Sequence, residues 1–168
     1  MAAGEQTEFR PREILSVLLK HDVDFVLIGG LAAIALGSAI PSYDVDIAYA
    51  RHYENLERLV EALRELGATL RGAPEDVPFQ LDAKTIENGA HFTFSTPYGS
   101  LDILSHPDGA PSYDRLKEAA VRTEVAGLTL YVTSIDHLIA MKEASGRPKD
   151  KYMATEYRTL ADEINRRA

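Results

Sequence analysis

The chain has 168 residues, of which 45% are hydrophobic, and a formal net charge of −8. This length and composition suffice for one buried core, so we expect a single domain that spans residues 1–168. The sequence has no apolar run long enough to cross a membrane, no apolar signal segment at its start and no cysteine. We therefore expect a cytoplasmic protein with no membrane partner, no disulfides and no thiolate metal site, and its acidity disfavours non-specific binding to nucleic acid.

The first half of the chain alternates predicted helices and strands. Helices are predicted where apolar residues recur every three or four positions, and strands where β-branched and aromatic residues cluster or alternate with others. In chain order the elements are a helix at 12–21, a strand at 24–28, a helix at 31–36, a strand at 44–49 and a helix at 52–66. The turn-rich segment 71–90 follows, with 79–81 as a candidate short strand.

The second half of the chain pairs its strands into predicted hairpins. In chain order the elements are a hairpin of strands 91–96 and 100–104, a helix at 113–120, a hairpin at 122–132, a helix that Ser134 caps and Gly146 ends, and a helix from Pro148 to about Arg166. This order favours an α/β (α+β) fold in which helices flank a mixed β-sheet. The core is expected at about 9–132 and a C-terminal helical segment at about 134–168.

The strand DVDI carries two aspartates on one face. Asp44 and Asp46 are two residues apart, so their side chains point to the same side, whereas Val45 and Ile47 point toward the core. Neighbouring carboxylates repel each other and favour a counter-charge, and oxygen ligands suit Mg²⁺ or Mn²⁺. The pattern predicts a metal site, although a solvated strand face or a helix-capping pair is the simpler interpretation of these two residues alone.

A third aspartate shows the same strand pattern. Asp102 lies between Leu101 and Ile103, so it faces away from both apolar side chains. If its strand lies beside the strand of Asp44, the three carboxylates converge on a site for one or two divalent ions. The alternative is an ordinary polar residue at a sheet edge. None of the five histidines has ligand spacing, so zinc is not expected.

A glycine pair follows the first predicted strand. Gly29 and Gly30 stand where a buried strand gives way to a helix, and glycine lets backbone N–H groups approach a ligand closely. The N-terminus of the next helix favours a phosphate. A phosphate site beside metal-binding carboxylates suits a nucleoside triphosphate with a bridging Mg²⁺, whereas a glycine pair alone is more often only a turn.

The order of strand, glycine pair, helix, D-x-D strand and later single-aspartate strand resembles the nucleotidyltransferase superfamily of the DNA polymerase beta type. GGLAAIALGS followed by SYDVDI looks like the small bacterial nucleotidyltransferases that include aminoglycoside- and lincosamide-modifying enzymes. It also resembles the nucleotidyltransferase toxins of type IV toxin–antitoxin systems. TSIDHLIAMKEASGRPKDKY, at 133–152, is similar to their C-terminal signature, and the resemblance spans about residues 26–160.

This resemblance implies an enzyme that uses Mg²⁺ or Mn²⁺ to transfer a nucleoside monophosphate from an NTP such as ATP to a hydroxyl, with release of pyrophosphate. The acceptor would be a small molecule, a tRNA or a protein, and a homodimer or an antitoxin is a further expected partner. Residue by residue, the metal-binding and catalytic positions are Asp44, Asp46 and Asp102. The nucleotide-binding positions are Gly29, Gly30, Ser42 and Lys142.

Two positions depart from the pattern of many relatives. Ile40 stands where many carry an arginine, and Met153 where many carry an aspartate. The segment Arg147-Pro148-Lys149-Asp150 matches an R-x-K-D motif, but these charges are more simply interpreted as surface ion pairs or as a helix junction. Ser42 alone is a common turn residue and Lys142 alone a common solvated charge. A catalytically silent nucleotide- or partner-binding protein and a structural metal-binding domain are the alternative functions.

Overall fold

The computed structural model describes residues 7–73, 76 and 78–168. The helices are α1 Pro11–Lys20, α2 Gly29–Ala35, α3 Tyr53–Glu65, α4 Ala83–Asn88, α5 Tyr113–Ala119, α6 Ile135–Ser145 and α7 Pro148–Arg167. The strands are β1 Phe25–Ile28, β2 Asp44–Tyr49, β3 Thr69–Leu70, β4 His91–Thr96, β5 Gly99–Leu104, β6 Val121–Val125 and β7 Leu128–Val132. Within the described residues, no helix is both long and apolar enough to cross a membrane.

The strands form one mixed sheet in the order β3-β4-β5-β2-β1-β7-β6. The neighbours β2 and β5 are parallel, as are β1 and β7, and the remaining pairs are antiparallel. The predicted mixed sheet with flanking helices is confirmed. Its two parallel pairs are formed by strands far apart in the sequence, because a parallel neighbour requires a long crossover connection.

The alternation of side chains along the central strands separates the two faces of the sheet. One face contributes fully buried residues such as Val45, Ile47 and Leu101 to the main core beneath α1 and α3. The opposite face carries a smaller cluster around Ile28 of β1 and Leu116 of α5. The aspartates of β2 and β5 lie on this second face, where the apolar cover is incomplete.

The segment 71–90 differs from the prediction, and its residues 74, 75 and 77 lie outside the described part of the chain. The candidate strand at 79–81 is wrong: Phe79 packs against Phe92 and Phe94 without joining the sheet. The segment forms α4 instead, capped by Asp82, whose side chain accepts a hydrogen bond from Thr85 N at 2.8 Å. Both α4 and the two-residue β3 are too short to show a periodic pattern in sequence.

The C-terminal helices begin and end where predicted. Ser134 caps α6 by accepting a hydrogen bond from His137 N at 3.2 Å, and Gly146 ends it in the left-handed conformation with φ +70°. Pro148 then starts α7. This junction turns the chain back on itself and directs one face of α6 toward the aspartates of the sheet.

Candidate active site

Asp46 and Asp102 occupy directly opposite positions on neighbouring parallel strands. The register of β2 and β5 pairs Asp46 with Asp102 and Asp44 with Ser100. The prediction that the Asp102 strand lies beside the D-x-D strand is therefore confirmed. The pairing also distinguishes the two aspartates of β2 by their distance from the third carboxylate. Asp46 lies directly opposite Asp102, whereas Asp44 is exposed at the start of its strand.

The Asp46–Asp102 pair brings two carboxyl groups together, and a nearby cation compensates their charge only in part. Burial raises the pKa of Asp46 to about 7, with further contributions from the charge of Asp102, a hydrogen bond between the two carboxyls and the charge of Asp44. The charge of Lys142 acts in the opposite direction. Among the described residues, Asp102 Oδ1 is buried and has no hydrogen-bond partner. An oxygen in that position is a free ligand for a cation.

The carboxylate pair fits a divalent cation in the chemistry of its donors. Its all-oxygen donor set and the unpartnered Asp102 Oδ1 suit Mg²⁺ or Mn²⁺. Across the described ranges, however, no three His, Asp or Glu side chains are grouped closely enough to form a complete site. The metal triad of Asp44, Asp46 and Asp102 accordingly stays a prediction.

The glycine pair lies against the side chains of this site. The helix α2 begins at Gly29, not at the predicted residue 31, so both glycines belong to its first turn. Gly29 has φ +74°, and a Cβ at this position would collide with the carboxylate of Asp46. A Cβ on Gly30 would lie 2.8 Å from Ser42 Oγ. The absence of side chains thus lets the α2 turn approach Asp46 and Ser42 closely.

Two pockets meet at Asp46 and Lys142, which line both of them. The Asp102 pocket has a volume of about 320 Å³, and besides these two its polar lining includes His91, Asp102, Asp108 and Arg147. The Ser42 pocket has a volume of about 290 Å³, and its further lining includes Gly30, Ile40, Ser42, Tyr43, Lys149 and Met153. The structure therefore brings the predicted Lys142 to the carboxylates and places Ser42 and Gly30 together on one side of them.

Lys142 reaches the site because of the helical spacing of α6. Leu138, Met141, Lys142 and Ser145 are three or four residues apart, so they lie on one helix face, and all four line the Asp102 pocket. The lysine is a partly buried cation, with its side chain 27% exposed. It is therefore not a fully solvated surface charge, and its role in nucleotide binding stays a prediction.

Several lining residues were not predicted as site residues. His91 could have been found by strand alternation, since its neighbour Thr93 pairs with Asp102 and residues two apart share a face. Asp108 lies in the loop after β5, where no pattern marks it. Lys149 was interpreted as part of an ion pair or a junction, yet it lines the Ser42 pocket.

The two departures from the pattern of relatives lie together. Ile40 precedes β2 and Met153 lies in α7, more than a hundred residues later, and both line the Ser42 pocket. The lining of this pocket therefore combines these two apolar side chains with the polar Ser42 and Lys149. Neither departure replaces a residue of the Asp46–Asp102 pair.

The family model of the aminoglycoside-2''-adenylyltransferases matches residues 12–154 of the chain. This match includes both aspartate strands, the glycine pair, α6 and the R-x-K-D segment. No curated protein sequence matches the chain at a significant level.

Three solved structures have a similar fold. The crystal structure of ANT(2'')-Ia in complex with adenylyl-2''-tobramycin has a TM-score of 0.58 at 16% identity, and the match covers 92% of this chain and 87% of that one. The solution structure of ANT(2'')-Ia has a TM-score of 0.54 at 14% identity, and the match covers 94% of this chain and 90% of that one. The crystal structure of the lincosamide antibiotic adenylyltransferase LnuA, bound to lincomycin, has a TM-score of 0.60 at 13% identity. This match covers 91% of this chain and 99% of that one.

Proposed function

Since the chain belongs to the aminoglycoside-2''-adenylyltransferase family, we propose that this nucleotidyltransferase uses a divalent cation to move AMP from ATP to a hydroxyl of a small cationic acceptor. The observation that carries the proposal is the Asp46–Asp102 pair: both carboxylates line the Asp102 pocket, and Asp46 also lines the Ser42 pocket. A donor in one pocket and an acceptor in the other would meet at these two carboxylates.

The Ser42 pocket is the proposed donor side. Gly30 and Ser42 both line this pocket, where a Cβ on Gly30 would lie 2.8 Å from Ser42 Oγ, and two cations, Lys142 and Lys149, line the same space. Hydroxyl and backbone N–H donors beside lysines are suited to the oxygens of a triphosphate. The apolar side chains of Ile40 and Met153, which also line this pocket, would leave recognition of the nucleoside to packing rather than to charge.

Asp46 and Asp102 would hold the divalent cation, with Asp44 on the same strand face as the third ligand. When bound, Mg²⁺ or Mn²⁺ neutralises charge on the phosphate oxygens and orients the reacting groups. Without a cation, burial raises the pKa of Asp46, and the charge of Asp102 raises it further. A bound divalent cation would therefore relieve the repulsion between the two carboxylates.

In the proposed reaction, Asp102 accepts the proton of the acceptor hydroxyl. The hydroxyl oxygen then forms a bond to the α-phosphorus of ATP while the bond from that phosphorus to the bridging oxygen of the β-phosphate breaks. Pyrophosphate leaves with the electron pair of the broken bond. Lys142 and Lys149 would stabilise its negative charge, because positioned cations act most strongly on charge that develops during the step.

The Asp102 pocket is the proposed acceptor side, and its charges favour a cation. Its carboxylates are Asp46, Asp102, Asp108 and Asp150, against the cations Lys142 and Arg147. Asp150 is paired with both cations, which leaves Asp108 available to a positively charged group. The polyamine character of an aminoglycoside such as tobramycin, whose adenylylated form is seen with ANT(2'')-Ia, matches this distribution of charge.

The proposal is tested by incubating the purified protein with each α-labelled NTP, Mg²⁺ and one acceptor at a time: an aminoglycoside, a lincosamide or bulk tRNA. We expect label from ATP to appear on the aminoglycoside, and this transfer to disappear with EDTA. The variant D108N should raise KM for the aminoglycoside and leave KM for ATP unchanged. Transfer to tRNA alone would contradict the small-molecule acceptor, and absence of NTP binding would favour a structural or silent protein.

A cytoplasmic location, a homodimer and an antitoxin partner stay predictions. Light scattering of the purified protein tests the dimer. Co-purification with the product of a neighbouring gene tests the antitoxin partner, and an effect of that product on the transferase rate would assign the chain to a toxin–antitoxin system.

A further inference from the structure

One buried carboxylate lies beside the proposed machinery without taking part in it. Asp150 is 5% exposed although it belongs to the first turn of α7. Its carboxylate accepts hydrogen bonds from Ser145 Oγ at 2.6 Å, from Arg147 Nε at 3.0 Å and from Lys142 Nζ at 3.3 Å. The bond from Ser145 and the charges of Lys142 and Arg147 hold the pKa of Asp150 below its usual value, although burial opposes them.

Lys142 lies between two sets of carboxylates. Its Nζ is hydrogen-bonded to Asp150, while its charge also acts on Asp46, and its side chain borders both pockets. A lysine side chain is long and flexible, so its position is decided by the stronger of these attractions. Without Asp150, the negative charge of the Asp46–Asp102 pair would draw the ammonium group closer to these two carboxylates.

We propose that Asp150 is a positioning residue that holds Lys142 Nζ at the boundary of the two pockets and away from Asp46, so that the ammonium group faces the triphosphate of the donor nucleotide. This inference rests on the proposed function, because it requires a nucleoside triphosphate to bind beside Lys142. Asp150 would then affect nucleotide binding only by positioning Lys142.

The competing explanation is that Asp150 only ties α6 to α7. The structure contains an independent tie between these helices, an ion pair of Glu143 in α6 with Arg158 in α7. The buried residues Ala154 and Tyr157 anchor α7 as well. The junction therefore retains other contacts when Asp150 is changed, and the two explanations can be separated by experiment.

The test is a double-mutant cycle on the binding of ATP with Mg²⁺, measured by titration calorimetry without acceptor, so that the readout is affinity and not turnover. The proteins are wild type, D150N, K142M and the double variant, with D162N as a matched control because Asp162 is an exposed carboxylate on the same helix. We expect D150N to weaken binding about tenfold in the wild-type background, as for loss of a charge-assisted contact. In the K142M background the same change should have no measurable effect, and D162N should bind like wild type.

Thermal unfolding of each variant reports separately on the helix junction. Should D150N fail to fold, S145A replaces it in the cycle: this change keeps the charge of Asp150 but removes its shortest hydrogen bond, and about threefold weaker binding is expected. Equal weakening with and without Lys142, or no weakening, would overturn the inference while leaving the proposed function intact. Failure of the wild-type protein to bind any NTP would overturn both.

Discussion

Asp46 of β2 and Asp102 of β5 face each other at paired positions of two parallel strands. Adjacent strands are about 4.8 Å apart, so two carboxylates in this arrangement repel each other strongly unless a proton or a cation lies between them. The face around them carries a small apolar cluster, and the charge of Lys142 offsets the repulsion only in part. Such a pair weakens the fold, which is the usual mark of a functional site.

Replacing Asp102 with asparagine should reduce nucleotidyl transfer by about 10²–10⁴-fold, because an amide cannot accept the proton of the acceptor hydroxyl and is a weaker cation ligand. The measurement is the initial rate of transfer of labelled AMP. The control is D162N, which makes the same substitution of aspartate by asparagine at an exposed position. D46N should cause a comparable loss. A wild-type rate in D102N would contradict the assigned roles.

Replacing Gly29 with alanine should impair the site more than the same change elsewhere. The variant combines a positive φ, which costs a non-glycine residue about 1–2 kcal/mol, with a collision between the new Cβ and the Asp46 carboxylate. G72A is the matched control, since Gly72 has φ +78° and a Cβ added there would meet no atom within 4 Å.

Both glycine variants should lose similar stability from backbone strain in urea unfolding. Only G29A should lose transfer activity beyond what its unfolded fraction explains, because only its Cβ displaces Asp46. Equal activity of the two variants would show that the close approach of α2 to Asp46 has no catalytic importance.

The stability of the fold should depend on Asp24 in a pH-dependent way. Burial raises the pKa of Asp24, but hydrogen bonds from Lys117 and Tyr113 and the charges of Lys117 and His52 outweigh it and leave the pKa below its ordinary value of 3.8. A lowered pKa in the folded state stabilises the fold above the unfolded value, and this stabilisation is lost as the pH falls through the folded value.

We therefore expect D24N to be less stable than wild type by about 1 kcal/mol near neutral pH. This difference should shrink as the pH falls below 3.8 and vanish once the pH is below the lowered pKa of the folded state. Urea unfolding from about pH 6 to about pH 2 measures it. K117M removes the partner at 2.7 Å and should show the same pH profile. A difference that persists unchanged in acid would assign the effect of D24N to packing and not to charge.

Replacing Asn55 with alanine should destabilise the fold by about 2–3 kcal/mol, because it leaves buried backbone groups without partners. Asn55 is fully buried, accepts a hydrogen bond from Asp24 N at 2.7 Å and donates to Asp24 O and Ala50 O at 3.0 and 2.8 Å. Thermal unfolding measures the loss, and exposed Asn88 supplies the control N88A.

The Asn55 contacts lie where β1 begins and β2 has ended, whereas Asp46 pairs with Ile28 at the other end of β1. Folded N55A should therefore keep the wild-type rate of nucleotidyl transfer. A loss of rate without a loss of stability would show that the hydrogen bonds of Asn55 influence the aspartate site across the sheet.

Local patterns in the sequence predicted the central elements well. The two-residue period of DVDI placed Asp44 and Asp46 on one face and Val45 on the other because side-chain alternation depends only on the extended backbone. Ser134 and Gly146 marked the ends of α6 because capping is also a property of a few neighbouring residues. The short elements β3 and α4 were beyond this reasoning, since neither is long enough to show a period.

Sequence by itself thus singled out the candidate site residues: the aspartates, the glycine pair and Lys142. Only the tertiary structure decided how they combine. It paired Asp102 with Asp46, brought Lys142 to them from a distant helix, added Asp108 and Lys149 to the pockets and buried Asp150 beneath Lys142. The physical reason is that strand register and helix docking are decided by the packing of side chains far apart in the chain, which no local pattern records.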